Sequence, residues 1–138
     1  MANSEQVLAS LPIFSELSKA DLRKVERLMT PVTIKAGRDF IVEGKPGREA
    51  FVVLEGRATV RKGNKVVASV GPGDVIGEMA LLANLPRNAT ITADTEMMVE
   101  VLDRRELVAL LEEMPKLTMK IMISAIKHAH ELESSLTA

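Results

Sequence analysis

The chain has no cysteine, no tryptophan and no tyrosine, and only three phenylalanines among its 138 residues. Without cysteine, disulfides, thiolate metal sites and thiol nucleophiles are excluded. Without aromatic platforms, the sequence does not fit a protein that stacks single-stranded bases on rings. An aromatic ligand must then be held by aliphatic side chains, backbone and charge. An excess of one sign of charge is also missing: 18 Lys and Arg face 19 Asp and Glu, for a net charge of -1. This argues against a nucleic-acid partner and against general attraction to anionic membrane. No apolar run approaches the ~18 residues that span a bilayer, so membrane insertion is not expected. The opening residues carry no basic segment of the kind that begins a secretion signal, so the expected location is cytoplasmic. The sequon Asn88-Ala89-Thr90 is therefore expected to go unused.

What is present describes a folded chain. Hydrophobic residues make up 46% and charged residues 27%, a globular composition. At this length one domain is expected over residues 1–138, burying roughly 70% of its surface.

Three regions follow from the changing period of the apolar residues. Residues 1–30 read as helical. A short helix is expected over 4–10, and a second after Ser18, an N-cap with Asp21 in capping-box position. Leu22, Val25, Leu28 and Met29 recur at helical spacing in this second helix, and Pro31 is expected to stop it. Residues 31–102 read as an antiparallel β-roll of jelly-roll type. Short runs such as Phe51-Val52-Val53-Leu54 and Val66–Val70 alternate with glycine turns, and Gly63-Asn64 is a two-residue hairpin turn. Residues 103–134 return to helix. Asp103 caps the first, over 104–111. Pro115 suits the first turn of the second, over about 116–132. In that last helix Met122, Ile126, Ala129 and Leu132, widened by Met119 and Ile123, form a stripe expected to pack on the roll.

The segment from Gly71 to Thr90 carries the chemistry. Gly77 lets a ligand approach the backbone closely, because it has no Cβ. Met79–Leu82 can form a helical turn whose free N–H groups suit an anion. Arg87 offers a planar fork of donors to a phosphate or carboxylate. Glu78 repels an anion, so a carboxylate there makes sense as an acceptor for hydroxyls, as on a ribose. One arginine balanced by one acid suggests a sugar phosphate with a single negative charge.

The segment Ile76-Gly77-Glu78-Met79-Ala80-Leu81-Leu82, followed by Pro86-Arg87-Asn88-Ala89-Thr90, resembles the phosphate-binding cassette of the cyclic nucleotide-binding domain family. That family includes regulatory subunits of cyclic-AMP-dependent protein kinase, cyclic-nucleotide-gated channels and catabolite-activator-type regulators. Phe51–Ala58 and Gly71-Pro72-Gly73-Asp74 are also similar to the family's pattern, so the resemblance covers nearly the whole chain. It implies that Arg87 pairs with the exocyclic oxygens of a cyclic phosphate and that Glu78 accepts from the ribose 2′-hydroxyl. The N–H groups of Ala80 and Asn88 would complete the cradle, with Gly77, Met79 and Ala89 beside them. The last helix would cover the base through Met122, Ile123 or Ile126, with Lys120 or Lys127 as polar caps.

The implied ligand is cyclic AMP. The alternative is cyclic GMP, because Asn88 stands where cyclic-GMP binders often carry a threonine that bonds the guanine amino group. The implied role is a regulatory sensor acting on an unidentified effector domain or protein, with no cofactor.

Other readings fit less well. The glycines of Gly71-x-Gly73 and Gly77 do not form a dinucleotide fingerprint, because the third falls one residue late and no βαβ unit surrounds it. Arg87 as a mere salt-bridge partner of Glu78 is the plain structural alternative. His128 and His130 point in different helical directions and read as surface residues rather than metal ligands. No nucleophile–base pair or carboxylate pair occurs in the loop, so an enzyme is not expected. A protein-interaction module without a ligand would not need both Glu78 and Arg87.

Overall fold

The structure is a computed structural model that describes residues 4–137; the first three residues of the expected helical segment lie outside these. Helix α1 (Ser4–Ser10), a 3-10 turn (Pro12–Phe14) and helix α2 (Lys19–Leu28) open the chain. Ser18 caps α2, its Oγ accepting from the Asp21 N–H at 3.1 Å. Pro31 does not serve as the stop signal. The helix ends at Leu28, Met29 is already extended, and Pro31 lies inside strand β1 (Thr30–Ile34). Proline is tolerated there because β1 is an edge strand, where not every N–H is needed by a neighbour.

Strands β2 (Asp39–Ile41), β3 (Glu49–Glu55), β4 (Ala58–Lys62), β5 (Lys65–Val70), β6 (Val75–Ile76), β7 (Thr90–Ala93) and β8 (Met97–Asp103) complete the roll. They form two four-stranded sheets, ordered β1-β8-β3-β6 and β2-β7-β4-β5. Every described pairing is antiparallel. Gly63 and Asn64 turn the β4–β5 hairpin as expected, with Lys62 opposite Lys65. At Gly56, between β3 and β4, φ is +95° and an added Cβ would stand 2.5 Å from the Glu96 carbonyl oxygen, so only glycine fits.

β3 shows why its sequence is a continuous apolar run rather than an alternation. Side chains of a strand point alternately to its two faces. Phe51 and Val53 enter the core between the sheets, with Ile34, Ile91, Met97 and Val99. Ala50, Val52 and Leu54 enter a second core beneath the helices, with Phe14, Leu22, Val25, Leu107 and Leu110. Both faces are buried, so both must be apolar.

The exception lies on β8. Glu100 is paired in register with Pro31 on β1 and Val52 on β3. It shares the strand face of Leu102, which lies in the core beneath the helices. It is 1% exposed, and neither carboxylate oxygen has a hydrogen-bond partner among the described residues. Burial, with Glu26 adding its charge, pushes this carboxyl up to about 7.

Helix α4 (Arg104–Glu113) begins with a full capping box. Asp103 Oδ1 accepts from the Glu106 N–H at 2.8 Å, and Glu106 Oε1 accepts from the Asp103 N–H at 2.9 Å. Asp103→Ala removes the cap and is expected to lower stability by about 1 kcal/mol, read as a shift in the denaturant midpoint.

In helix α5 (Pro115–Thr137) Leu132 packs on the roll as expected, but the rest of the expected stripe does not. Met119, Met122, Ile123 and Ile126 are exposed, and Ile126 is the most open at 64%. The face that packs runs through the buried Leu117 and Ile121 to the partly buried His128 and Leu132, at intervals of four, seven and four residues. That face contains a histidine, and a search for apolar residues at helical spacing passes over it.

Candidate functional site

The cassette is held from both sides by backbone hydrogen bonds. The turn Gly71–Asp74 is closed by Asp74 Oδ2, which accepts from the Gly71 N–H at 2.8 Å. It is stitched to β3 by Gly73 N–H to Val53 O and Val53 N–H to Asp74 O, each 2.9 Å. The two-residue strand β6, which the sequence reading left within the loop, then delivers Gly77 and helix α3 (Glu78–Ala83).

At the far end Arg87 is fixed by its own main chain. Its N–H donates to Lys45 O and its carbonyl accepts from the Gly44 N–H, both at 2.8 Å. The Arg87 side chain is 8% exposed. Nη1 donates to Gly77 O at 3.0 Å and Nη2 donates to Glu49 O at 2.6 Å. Burial lowers its pKa, while the charges of Glu49 and Glu78 act to raise it. A guanidinium carries five N–H donors and stays charged in proteins, so donors remain for an anion.

Gly77 makes this arrangement possible. Its φ is +82°, and an added Cβ would lie 2.6 Å from Arg87 Nη1 and 3.0 Å from Glu49 O. A side chain there would be strained by its backbone and would strike the guanidinium.

Glu78 is 1% exposed and is not paired with Arg87 among the described residues. Its Oε1 lies 3.2 Å from His128 Nδ1, on α5. His128 is thus not the surface residue that its spacing suggested; its side chain is 19% exposed. Burial disfavours its charge. Only together do the hydrogen bond to Glu78 and the charges of Glu78, Asp74 and Glu131 outweigh this, and they raise its pKa above the ordinary histidine value.

One cleft collects the cassette. Gly77, Glu78, Met79, Ala80, Arg87, Asn88 and Ala89 all line it. Its apolar wall comes from the roll, including Ile41, Val60, Val70 and Ile91. The residues named for the α5 side are not the ones found there. Met122 and Ile126 do not line the cleft, and Ile123 lines a neighbouring groove with Lys120 and Lys127. Lys120 is engaged elsewhere, donating to Pro12 O at 2.9 Å. His128, Glu131 and Leu132 face the cleft instead. His128 and Leu132 continue the four-and-seven spacing from Leu117, a signal present in the sequence once the histidine is counted. Among the described residues no cluster of three metal-ligating side chains occurs.

A two-sheet roll with a helix against its cleft, a buried arginine and a buried acid facing that cleft, defines a ligand-binding module. The family described as "Cyclic nucleotide-binding domain" matches residues 31–114, more than half of the chain. The chain belongs to the cyclic nucleotide-binding domain family.

It is 37% identical over 92 residues to a cyclic nucleotide-gated potassium channel of Rhizobium etli, covering 67% of this chain and 26% of the channel. It is 39% identical over 93 residues to a cAMP-dependent protein kinase regulatory subunit of Mycosarcoma maydis, covering 64% of this chain and 18% of that protein. The chain thus spans about a quarter or less of these relatives. Among solved structures it is similar to PKAR CBD2 with Sp-2Cl-cAMPS bound, with TM-score 0.79 and 31% identity over 94% of this chain and 89% of that one. It is also similar to cAMP-bound PfPKA-R (141-441), with TM-score 0.84 and 29% identity over 95% of this chain and 45% of that one.

Proposed function

We propose that this chain binds cyclic AMP in the cleft, as a regulatory sensor domain rather than an enzyme. The observation that carries this reading is Arg87. Its guanidinium is buried, fixed by two backbone carbonyls, and opens into the same cleft as a buried acid. The free donors of Arg87 take the exocyclic phosphate oxygens, and Glu78 accepts from the ribose 2′-hydroxyl. Ala80 and Asn88 offer N–H groups from either end of the cassette. The purine lies along the apolar wall of the roll, and the α5 side chains that face it are His128, Glu131 and Leu132.

Cyclic AMP is favoured over cyclic GMP by the ligands of the similar structures at about 30% identity. Asn88 is exposed at the cleft, and an amide that bonds a guanine amino group is the basis of the second reading, cyclic GMP. The output is proposed to be a change in α5 read by an effector, as the names of the channel and kinase relatives suggest. Among the described residues no helix is long and apolar enough to cross a membrane, and a cytoplasmic place of action fits this reading.

Thermal denaturation with and without cyclic AMP tests the proposal. A ligand at a hundredfold excess over its Kd is expected to stabilise the fold by about 2.7 kcal/mol. The chain has no tryptophan or tyrosine, so nucleotide carried through purification shows directly in the ultraviolet spectrum. If neither cyclic AMP nor cyclic GMP shifts the transition, the reading fails.

A further inference from the structure

Helix α5 reaches the acid of the cassette directly, through His128 Nδ1 and Glu78 Oε1 at 3.2 Å. We propose that this pair is a proton-operated latch that fastens α5 over the cleft, so that a bound nucleotide is released more slowly as the pH falls. The release half of the proposal rests on the reading of the cleft as a cyclic-nucleotide site.

The contact is dry on one side and nearly so on the other, with Glu78 at 1% and the His128 side chain at 19% exposure. A charge-assisted bond in such surroundings is stronger than the same pair on a surface. The imidazolium always has a proton on Nδ1 to donate, whereas the neutral ring has one only in one tautomer. Protonation therefore strengthens the grip.

The groups around His128 favour its charge. Glu78 approaches from α3, Asp74 from the turn before β6, and Glu131 from α5 itself. Arg87 faces the same cleft, and Lys120 and Lys127 line the adjoining groove, so cations also lie along both surfaces that His128 lines. Burial works against the charge, but the acids prevail and the pKa rises. When α5 lifts away, His128 returns to the ordinary value of about 6.5. The latch is thus at full strength below that value and is lost as pH rises through the raised one.

A bound nucleotide need not displace the latch. A carboxylate offers about four lone-pair positions, so Glu78 can hold His128 and a ribose hydroxyl together. The anionic cyclic phosphate adds negative charge to the cleft and favours the imidazolium further.

The test uses the full chain in two arms. The chain has two histidines, so His130→Gln leaves His128 as the sole imidazole in an NMR titration of the ligand-free protein. Its midpoint is expected above about 6.5 and should fall in Glu78→Gln. In the second arm, release of a fluorescent cyclic AMP analogue is followed by stopped flow from about pH 5.5 to about pH 8.5, spanning the histidine range. Release is expected to be severalfold slower at the acid end, and His128→Gln should lose most of that dependence. This variant separates the latch from Glu100, whose carboxyl also titrates near neutrality.

An NMR midpoint at or below the ordinary value overturns the latch even if nucleotide binds. So does a pH dependence of release that survives in His128→Gln. Failure of the analogue to bind at any pH overturns the reading of the cleft, and the release half of the proposal with it.

Discussion

Arg87→Ala is expected to weaken cyclic AMP binding by about a hundredfold or more, measured by titration calorimetry. Truncating one partner of a buried, hydrogen-bonded charge pair costs roughly 2–5 kcal/mol, and each 1.4 kcal/mol is about tenfold in affinity. Here the loss falls on the group proposed to meet the ligand's only formal charge. The same truncation also removes the Arg87 bond to the Glu49 carbonyl and leaves the Gly77 carbonyl with the Leu81 N–H alone, at 3.4 Å. A hydrogen bond from a charged group contributes about 1.5–3 kcal/mol, so the variant should melt earlier even without ligand. Arg87→Lys separates the two effects. It keeps the charge but loses the planar fork that reaches both carbonyls at once, and its affinity should fall between those of Ala and the parent. Undiminished affinity in Arg87→Ala would place the phosphate elsewhere.

Glu100→Gln is expected to stabilise the protein at alkaline pH and to matter little in acid. In the fold this carboxyl ionises at about 7, against an ordinary value of 4.5. A raised carboxyl means that the fold prefers the proton on. Its contribution is therefore fully present below pH 4.5 and is lost as pH rises through 7. At about 1.4 kcal/mol per pH unit the loss comes to about 3.5 kcal/mol. Glutamine recovers less than that, because its amide is also left without a partner beneath the helices. A gain of several degrees in Tm near pH 8.5, shrinking toward pH 5, is the expected pattern, since about 1 kcal/mol moves Tm by a few degrees at this chain length. A variant no more stable than the parent across that range would mean that Glu100 finds a cation or a solvent path when ionised.

Much of the fold was legible because local chemistry and tertiary packing agree. Ser18, Asp103, Pro115 and the Gly63-Asn64 turn each act where a cap, a first turn or a hairpin requires them. The apolar runs of the roll became strands at nearly the expected positions. The meeting of Gly77, Glu78 and Arg87 at one cleft was legible for a different reason: they are unusual neighbours, and their spacing is distinctive.

The misreadings share a cause. Pro31 reads locally as a helix stop, but its place is decided by which strand lies at the edge of a sheet. The face of α5 was assigned from its methionines and isoleucines, and the structure turns a histidine inward instead. His128 finds its partner fifty positions earlier in the chain, and no spacing rule reaches that far. Glu100 was invisible for the same reason. A single acid in an apolar strand reads as an outward-facing residue until a helix is laid over it.

The sheet order carries one more consequence. Edge strands expose unpaired peptide groups on which a stranger's strand can grow. Three of the four edges are protected by their make-up: β1 contains Pro31, while β2 and β6 have three and two residues. The fourth, β5, is six residues long, and α5 packs against it. An excursion of α5 therefore removes this packing from β5 and from the cleft in one movement.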